Sequence, residues 1–428
     1  MRVLHLSWEY PPLVYGGLGR HVHALAEAQA AAGHDVVVVT PHPGTEGLAY
    51  DEVVNGVRVV RAPHDDPEVP PHERFLAWTM ALNHAMTRTA LALGRGWRPE
   101  VLHAHDWLVA HAAANLRSAY EVPIVATMHA TEAGRHQGWL PDDFSASIHA
   151  VEWWLTFEAR RVIACSQHMR WEVTRLFELP AEKVDVLPNG IDLAEWTTDP
   201  DEVAAARATY AGSADGPLVL FAGRLEWEKG VHTLVDALPR LRRRFPGLRL
   251  VVVGKGSQQE ELEALARRRR VSRAVEFAGW LTEGGLRSVS AAADVAVVPS
   301  VYEPFGLVAL EAAALGTPLV VADTGGLAEI VEHGETGLVF PPLDAAARAD
   351  AVTEVLRDEV LARRVVRAAR EVVERDYSWP TLAAATVEVY ERAVREERAL
   401  LAELASRPAG PPVLRVVPRG SNLLRDAT

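Results

Sequence analysis

Two carboxylates eight residues apart, Glu303 and Glu311, carry the densest chemistry in this sequence, within SVYEPFGLVALEAAALGTP at 300–318. Glu303 sits in a turn with Pro304, and Gly306 opens a strongly apolar helix that contains Glu311. A carboxylate embedded in LVALEAAAL lies on a face otherwise suited to burial, so it needs hydrogen-bond donors. Sugar and ribose hydroxyls are donors of that kind. After Phe305, the amides of Gly306, Leu307 and Val308 form a helix N-terminus suited to a phosphate.

A second group is cationic. FAGRLEWEKG places Arg224 and Lys229 five residues apart beyond a strand. A strand-end loop can fold so that a forked guanidinium and a compact ammonium converge on one diphosphate. The ordinary alternative is a solvated charged loop, since Glu226 and Glu228 are adjacent. Lys229 is one of three lysines beside 41 arginines, which hints that a point charge is wanted there. GGLGR brings Gly16 and Gly17 close behind the first strand, where glycines let backbone approach an anion. VVVGKGSQ at 251–258 lacks the third glycine of a dinucleotide fingerprint and is at best a weak nucleotide-side loop.

His129 ends the run PIVATMH, where it would meet a sugar hydroxyl or a developing cation, or else be a satisfied histidine at a domain edge. HAHDW holds His103, His105 and Asp106, yet helix-start capping is the ordinary use of such an aspartate. Fifteen of the 17 histidines precede residue 170 and look scattered, so no metal site is expected.

These residues need a scaffold of strand ends. Short continuous apolar runs such as RVLHLS, DVVVVT, VLHAH and RVIACS alternate with helical spacing, as in a parallel sheet covered on both faces. After a loop rich in Asp, Thr and Pro at 192–216 the pattern restarts with PLVLFAG, LRLVVVG, VAVVP and PLVVA, and a long helix is expected over 344–374. The pattern is α/β: two doubly wound, Rossmann-like parallel-sheet domains, 1–200 and 201–378, facing across an interdomain cleft. A final helix at about 380–405 follows, then a Pro- and Gly-rich tail at 406–428.

Composition sets outer bounds. With 428 residues, 49% apolar and 24% charged, the chain is globular and multi-domain. A net charge of −13 argues against nucleic acid as a partner, and one cysteine excludes a disulfide scaffold. MRVLHLSWEYPP reads as a strand and turn rather than a leader, and no apolar run reaches a bilayer's width, so a cytoplasmic protein without an integral membrane segment is expected. Nine of the 12 tryptophans precede residue 200, among them Trp8, Trp107, Trp139, Trp153 and Trp154, and most are expected in the core.

GGLGRH, HAHDW, the strand-end His129, NGID, GRLEWEKG, the Glu303–Glu311 pair and TGGLAEIVEHGETG at 324–337 occur in order across roughly residues 1–395. In this the chain resembles the retaining glycosyltransferases of family 4, with the GT-B fold. SWEYPP, HAHDWLVAH and HATEAGRHQGW resemble the glycogen-synthase-like α-1,4-glucosyltransferases of actinobacteria. The departure is Tyr15, where bacterial glycogen synthases carry a lysine before the paired glycines. The resemblance therefore implies a nucleotide-sugar donor, UDP- or ADP-glucose, and an α-1,4-glucan acceptor, glycogen-like or of the methylglucose-polysaccharide type, with no cofactor. It implies that Glu311 accepts from ribose, and that Glu303 holds the donor sugar beside His129. Arg224, Lys229, the 306–308 amides and the Gly16–Gly17 backbone would stabilise the leaving diphosphate, and the last helix would pack back on the first domain. Other readings are a hexosyltransferase acting on a lipid or small polyol, a sugar-nucleotide epimerase, and a non-catalytic sugar-nucleotide binder.

Overall fold

The computed structural model describes residues 1–63, 75–94, 96–211 and 216–406. The expected Pro- and Gly-rich tail, beyond its first residue, lies outside the described residues. The strands are β1 Arg2–Leu6, β2 Asp35–Pro41, β3 Asp51–Val54, β4 Val57–Ala62, β5 Val101–His105, β6 Ile124–Met128, β7 Arg161–Ala164 and β8 Val184–Val186. They form one sheet in the order β3-β4-β2-β1-β5-β6-β7-β8. A second sheet takes β9 Leu218–Ala222, β10 Arg249–Val253, β11 Val275–Gly279, β12 Val295–Val298, β13 Leu319–Ala322 and β14 Leu338–Phe340, in the order β11-β10-β9-β12-β13-β14. Every pairing is parallel except β3 with β4. Apart from Arg2 at the start of β1, the central strands β1, β5, β9 and β12 are buried, which explains their high Val, Leu and Ala content.

Each sheet starts from its middle and steps outward, then returns to the other side, at β1–β5 in the first and β9–β12 in the second. Loops beyond the carboxyl ends part at such a switch point and leave a crevice. This is the two-domain GT-B architecture.

Three expectations are corrected. β3 was absent from the strand pattern because it is a short, largely exposed edge. Its hairpin signal was nevertheless present: Asn55 and Gly56 adopt φ of +49° and +82° and join Val54 to its partner Val57. The 192–216 segment is not all loop. Pro200–Tyr210 is a helix, with Asp199 accepting from the Asp201 amide at 2.7 Å and Pro200 in its first turn. The long helix expected over 344–374 is two, Ala345–Arg357 and Glu359–Asp376, split where Asp358 accepts from the amides of Val360 and Leu361.

The last helix, Trp379–Ser406, lies against the first sheet's elements rather than the second's. Tyr390 Oη accepts from Gln29 Nε2 at 3.0 Å, Arg392 reaches Asp185 at 2.7 Å, and Glu397 accepts from Arg160 Nε at 2.7 Å. The chain thus crosses between the sheets twice.

Candidate active site

Loops from the carboxyl ends of both sheets enclose a cleft of about 670 Å³. Every residue expected from the sequence to act in catalysis or donor binding lines it: Gly16, Gly17, His129, Arg224, Lys229, Glu303, the run Phe305–Val308, and Glu311. On the second-sheet side, Lys229 Nζ donates to Glu303 Oε2 at 2.8 Å and Ser300 Oγ donates to the same oxygen at 2.9 Å. Arg224 instead pairs with Glu228 at 3.1 Å, which Arg135 approaches at 3.9 Å. The two cations expected to converge line one cleft, but each faces its own carboxylate.

The backbone of Glu303 is fixed by a close approach. Gly326 N–H donates to its carbonyl at 2.9 Å, and Gly325, at φ +53°, lies so near that a Cβ there would collide with that oxygen. Gly306, at φ +111°, starts the helix Leu307–Ala314; the Ala309 amide donates to the Gly306 carbonyl at 2.9 Å, whereas those of Leu307 and Val308 precede any intrahelical acceptor. Glu311 is buried on that helix, and burial raises its carboxyl above the usual range while Arg20 opposes the rise. Arg20 comes from the other side of the cleft to pair with it.

On the first-sheet side, the glycine loop is tied down by Glu9, which is buried just beyond β1. Its Oε2 accepts from the amides of Tyr15 at 2.8 Å and Gly16 at 3.0 Å. Glu9 also accepts from the Gly19 amide, so the Gly16 and Gly19 amides are committed and the donors left at this point are those of Gly17 and Leu18 at the start of the helix Gly17–Ala31. A Cβ on Gly17 would stand 2.8 Å from Leu307 Cδ1, so the two domains meet here. Tyr15 stacks on Trp8 at the cleft wall, with ring centroids 5.4 Å apart.

Asp106 does not cap a helix. Its carboxylate makes no cap bond and instead accepts the His129 amide at 2.7 Å, from a backbone at φ +60° that non-glycine residues seldom adopt. Nor are the histidines scattered. Adjacent parallel strands set His5, His103 and His105 side by side, and their nitrogens, like those of His21, His105 and His129, lie within 4.8 Å of one another. Such groups could hold a transition metal. Their nitrogens, however, are largely engaged with one another: His5 with His105 at 3.1 Å, and His105 with His129 at 3.2 Å. Sequence spacing hid this, because all but the His103–His105 ring contact join separate elements.

A family model described as Glycosyltransferase Family 4 matches residues 15–195, and one described as Glycosyl transferases group 1 matches residues 205–372. A glycogen synthase from Mycobacterium tuberculosis is 50% identical over 407 residues, spanning 93% of this chain and 96% of its own. The chain belongs to glycosyltransferase family 4. An alpha-maltose-1-phosphate synthase from the same organism is 32% identical over 411 residues, covering 92% of this chain and 99% of its own. Among solved structures, a sucrose-phosphate synthase from Thermosynechococcus elongatus superposes with a TM-score of 0.78 at 27% identity, covering 91% and 98% of the two chains. Among the described residues of this family 4 glycosyltransferase, no helix is long and apolar enough to cross a membrane.

Sequence reasoning missed Glu9, Arg20, Asp106 and Arg135 as cleft residues of the transferase. Asp106 offers a test that does not depend on turnover. Burial raises its carboxyl from 3.8 to about 7, against the pull of the His129 amide. The folded enzyme then keeps a proton that the unfolded chain releases. Stability falls as pH rises through that interval, and the whole penalty is present above it. Asp106→Asn keeps an acceptor for the His129 amide and cannot ionise. Its Tm relative to wild type should climb between pH 4.5 and 8, and a pH-independent difference would contradict the assignment.

Proposed function

We propose that this transferase moves α-glucose, with retention, from UDP- or ADP-glucose to the non-reducing end of an α-1,4-glucan in the cytoplasm, without a metal ion. One observation supports this most: the cleft sets the Lys229–Glu303 pair opposite His129 and the Gly17 helix start, in a chain half identical to a glycogen synthase. In this reading Glu303 accepts from donor-sugar hydroxyls, Glu311 from the ribose, and His129 lies at the reacting face. The bond from C1 to the diphosphate oxygen breaks with its electron pair going to that oxygen. Arg224, Lys229 and the amides at 306–308 stabilise the charge that develops there. The acceptor hydroxyl attacks C1 from the same face and gives its proton to the departing phosphate. Closure of the domains keeps water from competing as acceptor.

The likeness to an alpha-maltose-1-phosphate synthase supports a second acceptor, α-glucose 1-phosphate, because glucosyl transfer to it would form that product. The test measures nucleotide diphosphate release from UDP-glucose, ADP-glucose and GDP-mannose in EDTA, with glycogen, maltooligosaccharide, glucose 1-phosphate or no acceptor. Glucan-stimulated release from a glucose donor, with a lengthened α-1,4 product, is expected. Stimulation by glucose 1-phosphate alone selects the second acceptor. Loss of release in EDTA refutes metal independence, and sugar isomerisation without any acceptor refutes the transfer reading.

A further inference from the structure

Behind His129 runs a line of buried polar groups with no evident part in binding substrate. His105 Nδ1 is 3.2 Å from His129 Nε2, His105 Nε2 is 3.1 Å from His5 Nδ1, and His5 Nε2 is 2.8 Å from Gln29 Oε1. Gln29 Nε2 in turn donates to Tyr390 Oη at 3.0 Å, on the helix that returns from the far end of the chain. His5, Gln29 and His105 are all fully buried. Five groups, one each from β1, β5, the helix Gly17–Ala31, the last helix and the loop after β6, thus link the cleft to the last helix.

Each link admits one proton, and that fixes the order of the rest. Burial lowers His5 to about 4 and holds His105 and His129 well below the usual range, so every ring is neutral at pH 7 and carries a single N–H. A neutral imidazole that donates from one nitrogen must accept at the other. The amide of Gln29 gives its N–H to Tyr390 and turns its oxygen to His5, so His5 carries its proton on Nε2. His5 Nδ1 is then an acceptor, so His105 is protonated on Nε2. The same step makes His105 Nδ1 an acceptor and puts the proton of His129 on Nε2.

We propose that Gln29, His5 and His105 are positioning residues that lock His129 in the Nε2–H tautomer, leaving its Nδ1 as a bare acceptor for a sugar hydroxyl in the cleft. Tyr390 Oη also lies 2.6 Å from His103 Nδ1, and with its proton given to that nitrogen it accepts from the Gln29 amide and so sets the direction of the line. The inference rests on the reading of His129 as a sugar-facing residue, but the tautomer itself can be measured without turnover. A wrong tautomer presents a donor where an acceptor is needed, and misdirected tautomers at other enzyme histidines are costly in kcat while leaving geometry intact.

The experiment is long-range proton–nitrogen NMR of the full-length enzyme with 15N-labelled histidine, assigned with His129→Asn. Expected is Nε2–H at His129 in wild type, and a mixture of tautomers in Gln29→Met and in the milder Tyr390→Phe. Both variants should lose about tenfold or more in kcat, with KM for the donor and Kd for the nucleotide diphosphate within about twofold. That split separates positioning from general damage to the fold. Nδ1–H at His129 in wild type overturns the proposal, even if neither variant folds. So does an unchanged tautomer in Tyr390→Phe. Full activity in His129→Asn would instead overturn the sugar-facing reading while the tautomer measurement stands.

Discussion

Glu303→Ala is expected to lower kcat by roughly 10²–10⁴-fold. A carboxylate that accepts from two sugar hydroxyls makes two charge-assisted bonds of about 1.5–3 kcal/mol each, and about 1.4 kcal/mol corresponds to a factor of ten in rate. The substitution also strips Lys229 of its 2.8 Å partner and Ser300 of its acceptor, so the ammonium loses its fixed position. Glu303→Gln should fall between the two, because an amide oxygen still accepts while the charge is gone. Steady-state kcat and KM with a glucose donor and glucan decide it. Activity of Glu303→Ala near wild type would remove Glu303 from the proposed chemistry.

The second large effect belongs to Lys229. Lys229→Met should cost about 10²–10³ in kcat, the range for losing one preorganised group at a developing negative charge. Lys229→Arg should rescue little. The ammonium is held between Glu303 and the cleft with its side chain 18% exposed, and a planar fork does not fit the place of a point charge. Because the pair is in direct contact, the double variant Glu303→Gln/Lys229→Met should lose less than the sum of the single losses. Strict additivity would show that the two side chains act independently and would count against the shared site.

Much of this was legible in the primary structure because the signals are local. Strand-length apolar runs separated by helical spacing gave the two sheets, and Gly306 followed by an apolar helix with an internal Glu311 gave one wall of the cleft. What stayed hidden is long-range. Nothing in GGLGR says that Arg20 will meet Glu311, which is 291 positions away. His5 and His103 are neighbours because β1 and β5 pair in register, and no linear spacing encodes that pairing. Asp106 followed the ordinary preference for a cap until a positive φ turned its carboxylate to the next strand's end. The split at Asp358 was missed for the opposite reason. The helical pattern runs through it, and one capping side chain outweighs the pattern.

The return of the last helix to the first sheet also has a meaning for synthesis on the ribosome. Residues up to 187 include every strand of that sheet, yet the buried Gln29 and His103 both hydrogen-bond to Tyr390 on the last helix. At about 5–20 residues per second, the nascent chain waits roughly 10–40 s between finishing the sheet and emerging far enough to cover it. Through that interval Gln29 and His103 lack the hydroxyl they meet in the finished domain. A chain stopped anywhere before Tyr390 would leave the first domain unfinished, however complete its strands.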